Sequence, residues 1–295
     1  MTVTTSSFVR IVEVGPRDGL QNISQWISTD TKLDLIYRLE CCGLRAIELT
    51  SIVSHRAVPQ MADATKLLQD VHVQKMLAKS SVRLPVLVPN LRGFEIARAH
   101  GVKEIAVFIS ATEGFSQANL NCSCDEAVGR AREVVAQARQ LGIAVRGYVS
   151  CIFEDPYDGP TEPSSVLGRV RELLDMGCYE VSLGDTLGTG NPTAVRVLLR
   201  YLQYHGISMT SIAGHFHDTY NQALANAWAA YECGVRTLDS SVGGLGGCPF
   251  VPHARGNLAT ETLVASFENA GIATGINKEA LEGTAAWVRD LLRKG

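Results

Sequence analysis

Short apolar runs rich in β-branched residues recur along the 295-residue chain, separated by longer stretches with helical spacing of their apolar positions. This alternation predicts parallel strands joined by crossover helices. Eight such runs are present, at 9–14, 46–49, 84–88, 104–109, 144–149, 179–183, 212–216 and 237–242. Gly43, Gly101, Gly142, Gly177 and Gly234 stand where five of the intervening helices should end, because glycine tolerates the left-handed turn that closes a helix. Asn191-Pro192 supplies an N-cap followed by the proline favoured at the first helical position. Eight units, with no GxGxxG after the first run, favour closure into a (β/α)8 TIM barrel over a doubly wound open sheet. The stretch 277–293 reads as an additional C-terminal amphipathic helix, and the expected organisation is a single catalytic domain over residues 1–295.

Composition narrows the class. Hydrophobic residues make up 46% and charged residues 19% of the chain, as in a folded globular protein. The 27 basic and 30 acidic residues give a net charge of −3 without a Lys/Arg stripe, so nucleic acid is not an expected partner. No apolar stretch reaches the roughly 18 residues needed to cross a bilayer, and no membrane association is expected. The first ten residues show neither a signal peptide nor an Arg-rich presequence. Eight cysteines occur without a CxxC pair; reduced thiols packed as small hydrophobes, and a cytoplasmic location, are the simpler expectation.

In such a barrel function collects at the C-terminal ends of the strands. The first run ends in Glu13-Val14-Gly15-Pro16-Arg17-Asp18-Gly19, placing a guanidinium and a carboxylate between glycines. A turn needs the glycines but not the charges, so Arg17 and Asp18 are candidate site residues, with a structural ion pair as the plain alternative. The seventh run ends in Gly214-His215-Phe216-His217-Asp218. Alternation points both imidazoles the same way, into the barrel mouth, where they serve either a shared metal or a satisfied core. Together with Asp18 and a further oxygen donor they make a mixed nitrogen and oxygen set that suits Mg2+ or Mn2+ better than structural zinc. Glu48 and Asp185 also fall at strand ends, where they either serve the site or bond to arginine and backbone. After the eighth run, Gly243-Gly244-Leu245-Gly246-Gly247-Cys248-Pro249 carries one thiol, which could transfer a proton, on a glycine-rich loop that is otherwise a flexible turn or a phosphate cradle.

At these residues the sequence resembles the 3-hydroxy-3-methylglutaryl-CoA lyase family. The resemblance runs through VEVGPRDGLQN at 12–22, VPQM at 58–61, RGYVSC at 146–151, SLGDT at 182–186, HDTY at 217–220, GGLGGCP at 243–249 and GNLATE at 256–261. It implies that Asp18, His215, His217 and Asn257 hold the metal, that Arg17 faces a thioester oxygen and that Cys248 is needed for turnover. It further implies a retro-Claisen cleavage of an acyl-CoA, in which Asp18 and His215 are the candidate proton acceptors and Glu48 and Asp185 orient Arg17 and the metal shell. The chain departs from the family pattern at Ile23-Ser24, at Glu154-Asp155 where Gly-Cys is usual, and at Val251-Pro252-His253-Ala254-Arg255. These changes spare the metal set and alter the mouth. His253 and Arg255 could bind a carboxylate or the CoA phosphates, or form a solvated face. A related substrate such as a citramalyl-CoA or a longer 3-substituted glutaryl-CoA is therefore an alternative. So is a condensing transferase of the isopropylmalate- or homocitrate-synthase type, or a non-catalytic metal-binding scaffold. A homodimer is the expected assembly.

Overall fold

The computed structural model describes residues 8–79, 81–247 and 256–293. Its centre is an eight-stranded parallel sheet: β1 (Arg10–Glu13), β2 (Thr50–Ser51), β3 (Val86–Leu87), β4 (Glu104–Ser110), β5 (Ala144–Ser150), β6 (Glu180–Asp185), β7 (Ile212–Phe216) and β8 (Thr237–Ser240). Their spatial order is β1-β8-β7-β6-β5-β4-β3-β2. The ends meet through a parallel bridge between Glu13 and Ile47. There Glu13 N donates to Ala46 O at 3.0 Å and Glu48 N to Glu13 O at 2.9 Å, closing the barrel. Helices cross between successive strands, and the helix Lys278–Arg293 follows the last unit.

The expected runs 46–49 and 237–242 differ from the observed strands, each for a local reason. The run 46–49 bonds alternately to β1 and β3, with Ile47 N donating to Arg83 O and Leu49 N to Pro85 O, but the regular ladder lies just beyond it at Thr50–Ser51. β8 ends at Ser240 because Val242–Gly244 curls into a 3-10 turn with Gly243 at φ +69°. The punctuation follows the sequence closely. All five expected glycines have positive φ, and Gly177, at φ +108°, caps the helix Pro163–Met176. The Asn191 side chain accepts from Thr193 N and Ala194 N ahead of Pro192.

Strand parity divides the molecule into two kinds of interior. Val9 and Ile11 of the first strand region, Val145 and Val149 of β5, Val181 and Leu183 of β6 and Leu238 of β8 belong to the large apolar core between sheet and helices. The opposite parity points into the barrel and carries Arg10, Arg146, Tyr148, Glu180, Ser182, His215 and Asp239, of which Arg146 and Asp239 are almost wholly buried. The barrel interior is thus packed partly with paired charges instead of branched aliphatic layers.

Candidate active site

The mouth is assembled from the ends of β1, β7 and β8. After β1 the chain makes a single wide turn over Gly15–Gly19, with Gly19 N donating to Val14 O at 3.1 Å. A Cβ at Gly19 would stand 2.6 Å from Ser241 Oγ and 2.8 Å from Leu245 Cβ. Glycine there lets the loop after β8 lie directly against Asp18. The segment around Asn257 runs antiparallel to the end of β7, pairing with His217, while Asp218 N donates to Gly256 O at 2.8 Å. Three distant parts of the sequence thereby converge.

Arg17 donates through Nε to Glu48 Oε2 at 2.7 Å and through Nη1 to Asp18 Oδ1 at 2.6 Å. Gln21 Nε2 is a second donor to Asp18 Oδ1, at 2.8 Å. Asp18 Oδ2 lies 3.8 Å from His215 Nε2 and 3.9 Å from His217 Nε2, and those two nitrogens are 3.3 Å apart. Burial opposes ionisation of Asp18, but Arg17 and the two imidazoles hold its carboxyl well below the usual range. Burial likewise opposes charge on Arg17, yet Glu48 and Asp18 raise its pKa, so the guanidinium stays charged. For His217 burial disfavours the charged ring and Asp18 more than compensates, raising its pKa.

The outer ring nitrogens are both engaged. His215 Nδ1 faces Asp239 Oδ2 at 3.2 Å and His217 Nδ1 faces Thr186 O at 2.9 Å. A carbonyl can only accept, and Asp239 is held well below its usual range by Arg146 and His215 despite burial. Each Nδ1 therefore carries a proton, which leaves each Nε2 as the atom that would give a lone pair to a cation at the mouth, the arrangement by which outer partners present histidine to a metal. Asp18, His215 and His217 each offer a ligand atom within 4.8 Å of the others. One carboxylate oxygen and two imidazole nitrogens without a thiolate fit a catalytic-type divalent ion. Asn257 reaches the same point, but its Nδ2 donates to Asp18 Oδ2 at 2.8 Å and to Leu245 O at 3.1 Å. Service as a ligand would require its Oδ1 to face the ion.

The remaining expected residues divide. Glu48 accepts from Arg17 Nε and also from Tyr148 OH at 3.2 Å. Asp185 does not bind Arg17. Its Oδ2 accepts from Gly190 N at 3.1 Å, and Gly188 and Thr189 add backbone bonds, so it shapes the loop whose Thr186 carbonyl receives His217. Burial, against His217 and those backbone groups, pushes the Asp185 carboxyl up to about 6. Cys248, His253 and Arg255 lie outside the described residues.

Sequence reading missed the ion network beneath the site. Arg146 Nη2 donates to Asp239 Oδ1 at 2.7 Å, its Nε to Glu180 Oε1 at 2.9 Å and its Nη1 to Tyr148 OH at 2.6 Å, while Ser182 Oγ donates to Asp239 Oδ2 at 2.8 Å. Arg10 pairs with Glu180 from below. A signal existed: 146 and 148, 180 and 182, and 239 are polar positions of one parity inside otherwise apolar strands.

Above this network opens a cavity of about 520 Å3, with Arg17, Asp18, His215 and His217 among its lining and Phe115 and Leu120 on another part of its wall. That volume suits a small-molecule ligand. Fold and site together define a (β/α)8-barrel protein with a candidate divalent-metal centre at its catalytic face.

The comparisons place it more narrowly. Residues 8–288 match the HMGL-like family, and the chain belongs to that family. It is 47% identical over 286 residues to the bovine (Bos taurus) mitochondrial hydroxymethylglutaryl-CoA lyase, covering 97% of this chain and 86% of that protein. To the human (Homo sapiens) cytoplasmic 3-hydroxy-3-methylglutaryl-CoA lyase it is 48% identical over 270 residues, covering 92% and 71% respectively. The structure of an HMG-CoA lyase from Acinetobacter baumannii in complex with coenzyme A and 3-methylmalate superposes with a TM-score of 0.90 at 34% identity, covering 99% of this chain and 93% of the other. Among the described residues no helix is long and apolar enough to cross a membrane.

Proposed function

We propose that this chain is a divalent-metal-dependent carbon–carbon lyase that cleaves 3-hydroxy-3-methylglutaryl-CoA to acetoacetate and acetyl-CoA. The observation that carries this reading is the convergence of a carboxylate-held arginine and an Asp-His-His cluster in the lining of one cavity. Likeness to proteins named as lyases of that thioester, one of them holding coenzyme A, supports both the reaction and an acyl-CoA partner.

Breaking the C2–C3 bond requires loss of the 3-hydroxyl proton and a place for the negative charge that reaches the thioester oxygen. Arg17 is built to receive that charge. Fixed between Glu48 and Asp18 before substrate arrives, it needs no reorganisation to meet the enolate oxygen. Such preorganised donors are worth about 3–4 kcal/mol of barrier. Asp18 or His215 accepts the hydroxyl proton, since both present an atom to the cavity. Cys248 is the proposed donor to the enolate carbon, completing acetyl-CoA. Asp18, His215, His217 and Asn257 would hold the ion. Bound Mg2+ or Mn2+ lowers the pKa of a coordinated hydroxyl and orients the bond that breaks.

Incubation with 3-hydroxy-3-methylglutaryl-CoA and Mg2+ is expected to yield acetoacetate and acetyl-CoA in equal amounts. Preferred cleavage of a citramalyl-CoA or a longer 3-substituted glutaryl-CoA would keep the reaction and reassign the pocket. Condensation of acetyl-CoA with a 2-oxo acid would replace it with a synthase, and metal binding without any turnover would favour a scaffold. A cytoplasmic location and a homodimer complete the proposal. The former is checked by fractionation, since the relatives named above include one mitochondrial and one cytoplasmic protein; the latter is checked by sedimentation.

A further inference from the structure

We infer that Asp155, aided by Asp158, is a positioning residue that sets the part of the cavity wall carried by the helix Glu113–Leu120 and so governs which acyl-CoA fits; this rests on the lyase reading above. The helix Glu113–Leu120 is eight residues long, too short to hold its shape or place without tertiary contacts. It nevertheless supplies Phe115, Asn119 and Leu120 to the cavity lining. Its own N-cap residue, Thr112, makes no side-chain bond to the helix amides. Those amides are satisfied from elsewhere in the chain.

The source is the two-stranded hairpin of Glu154–Asp155 and Gly159–Pro160 that follows β5. Asp155 Oδ2 accepts from Phe115 N at 2.9 Å and from Thr112 Oγ1. Asp158 Oδ2 accepts from Gly114 N at 2.7 Å. Asp155 Oδ1 meanwhile accepts from Tyr157 N at 2.6 Å and Asp158 N at 3.2 Å, which shapes the hairpin tip that delivers Asp158. Asp155 is 2% exposed, so its bond to Phe115 N is shielded from bulk water. One buried carboxylate thus ties the hairpin to the first turn of a wall helix, at a position where the sequence departs from the family pattern. Carboxylates at a helix N-terminus also meet the positive end of its dipole. None of these atoms touches Arg17, Asp18 or the imidazoles, so the clamp acts on the shape of the cavity and leaves the reacting groups alone.

If the wall is in place only part of the time, apparent affinity falls by that fraction while turnover of bound substrate is unchanged. Asp155→Asn is therefore expected to raise KM for 3-hydroxy-3-methylglutaryl-CoA by about tenfold, the scale of one lost charge-assisted hydrogen bond, with kcat within about twofold. Its kcat/KM ratio should shift toward glutaryl-CoA thioesters with bulkier 3-substituents. Asp158→Asn, which touches only Gly114 and lies on the exposed tip, should do the same more weakly and serves if Asp155→Asn does not fold. Titration calorimetry with coenzyme A gives Kd for wild type and variants independently of turnover. Unchanged KM, Kd and substrate ratio in the folded variants, or a loss of kcat at constant KM, would overturn the clamp. Binding of coenzyme A by wild type without cleavage of any thioester would instead overturn the lyase reading, and the change in Kd would then decide the clamp alone.

Discussion

Glu13 is a buried carboxylate and Asp18 a half-buried one five residues further on, and their surroundings drive them in opposite directions. Among the described residues Glu13 has donors beside it but no cation: Gly15 N and Val242 N bond its Oε1 at 2.9 Å each, and Thr260 Oγ1 bonds its Oε2 at 2.7 Å. Burial wins there and pushes the Glu13 carboxyl up to about 7. Around Asp18 stand Arg17, His215 and His217, and charge wins over burial. The first carboxylate joins the β1 loop to the segments after β8. The second faces a cavity and is kept charged. Burial alone does not distinguish a structural carboxylate from a chemical one; the cations placed beside it do.

The contrast can be broken most severely at Arg17. Arg17→Met removes the cation and the donor aimed at developing charge, and kcat should fall by about 10^2 to 10^3-fold in steady-state assays. The next largest effect is expected on the metal. His217→Ala deletes one of three clustered ligand atoms, and the folded variant should retain much less Mn2+ than wild type after dialysis, read by elemental analysis; equal retention would remove His217 from the set. Asp239→Asn keeps the ligands but loosens the partner that fixes the tautomer of His215, and metal affinity or activity should drop by about 10- to 100-fold.

The smallest effect sharpens the Glu13 side. Its folded pKa lies above the unfolded value, so between about pH 4.5 and pH 7 the unfolded chain sheds a proton that the folded chain keeps, and this group's contribution to stability falls as pH rises through that window. In Glu13→Gln the amide oxygen can keep both backbone donors and the amide nitrogen can reach Thr260. Denaturant titrations should show the variant gaining on wild type from pH 5 to pH 8, by no more than about 3 kcal/mol. A gap independent of pH would mean that Glu13 is ionised in the fold throughout.

Much of this was legible before the structure because it depends on local rules. Two histidines two residues apart along a strand must share a face, and His215 and His217 do. Five glycines at helix ends adopt the left-handed turns expected of them. Arg17 and Asp18 stood out because a turn does not need charges. The polar ladder of Arg146, Glu180 and Asp239 was illegible as a unit because its members come from β5, β6 and β8 and meet only when the barrel closes. Strand position likewise showed that Asp185 lies at the mouth, but its turn toward Gly190 depends on the loop that follows. The trans-capping carboxylates of the hairpin were noticed only as a departure from the family pattern, since the helix they hold lies about forty residues earlier.

The central claim, that the arginine and the Asp-His-His cluster form one metal-dependent lyase site, is tested most directly by acetyl-CoA release from 3-hydroxy-3-methylglutaryl-CoA using chelator-stripped protein with and without added Mg2+ or Mn2+. The account predicts negligible release without metal, restored on addition, with acetoacetate formed in equal amount. Equal release in both conditions, or none in either from folded protein that binds the ion, would contradict it.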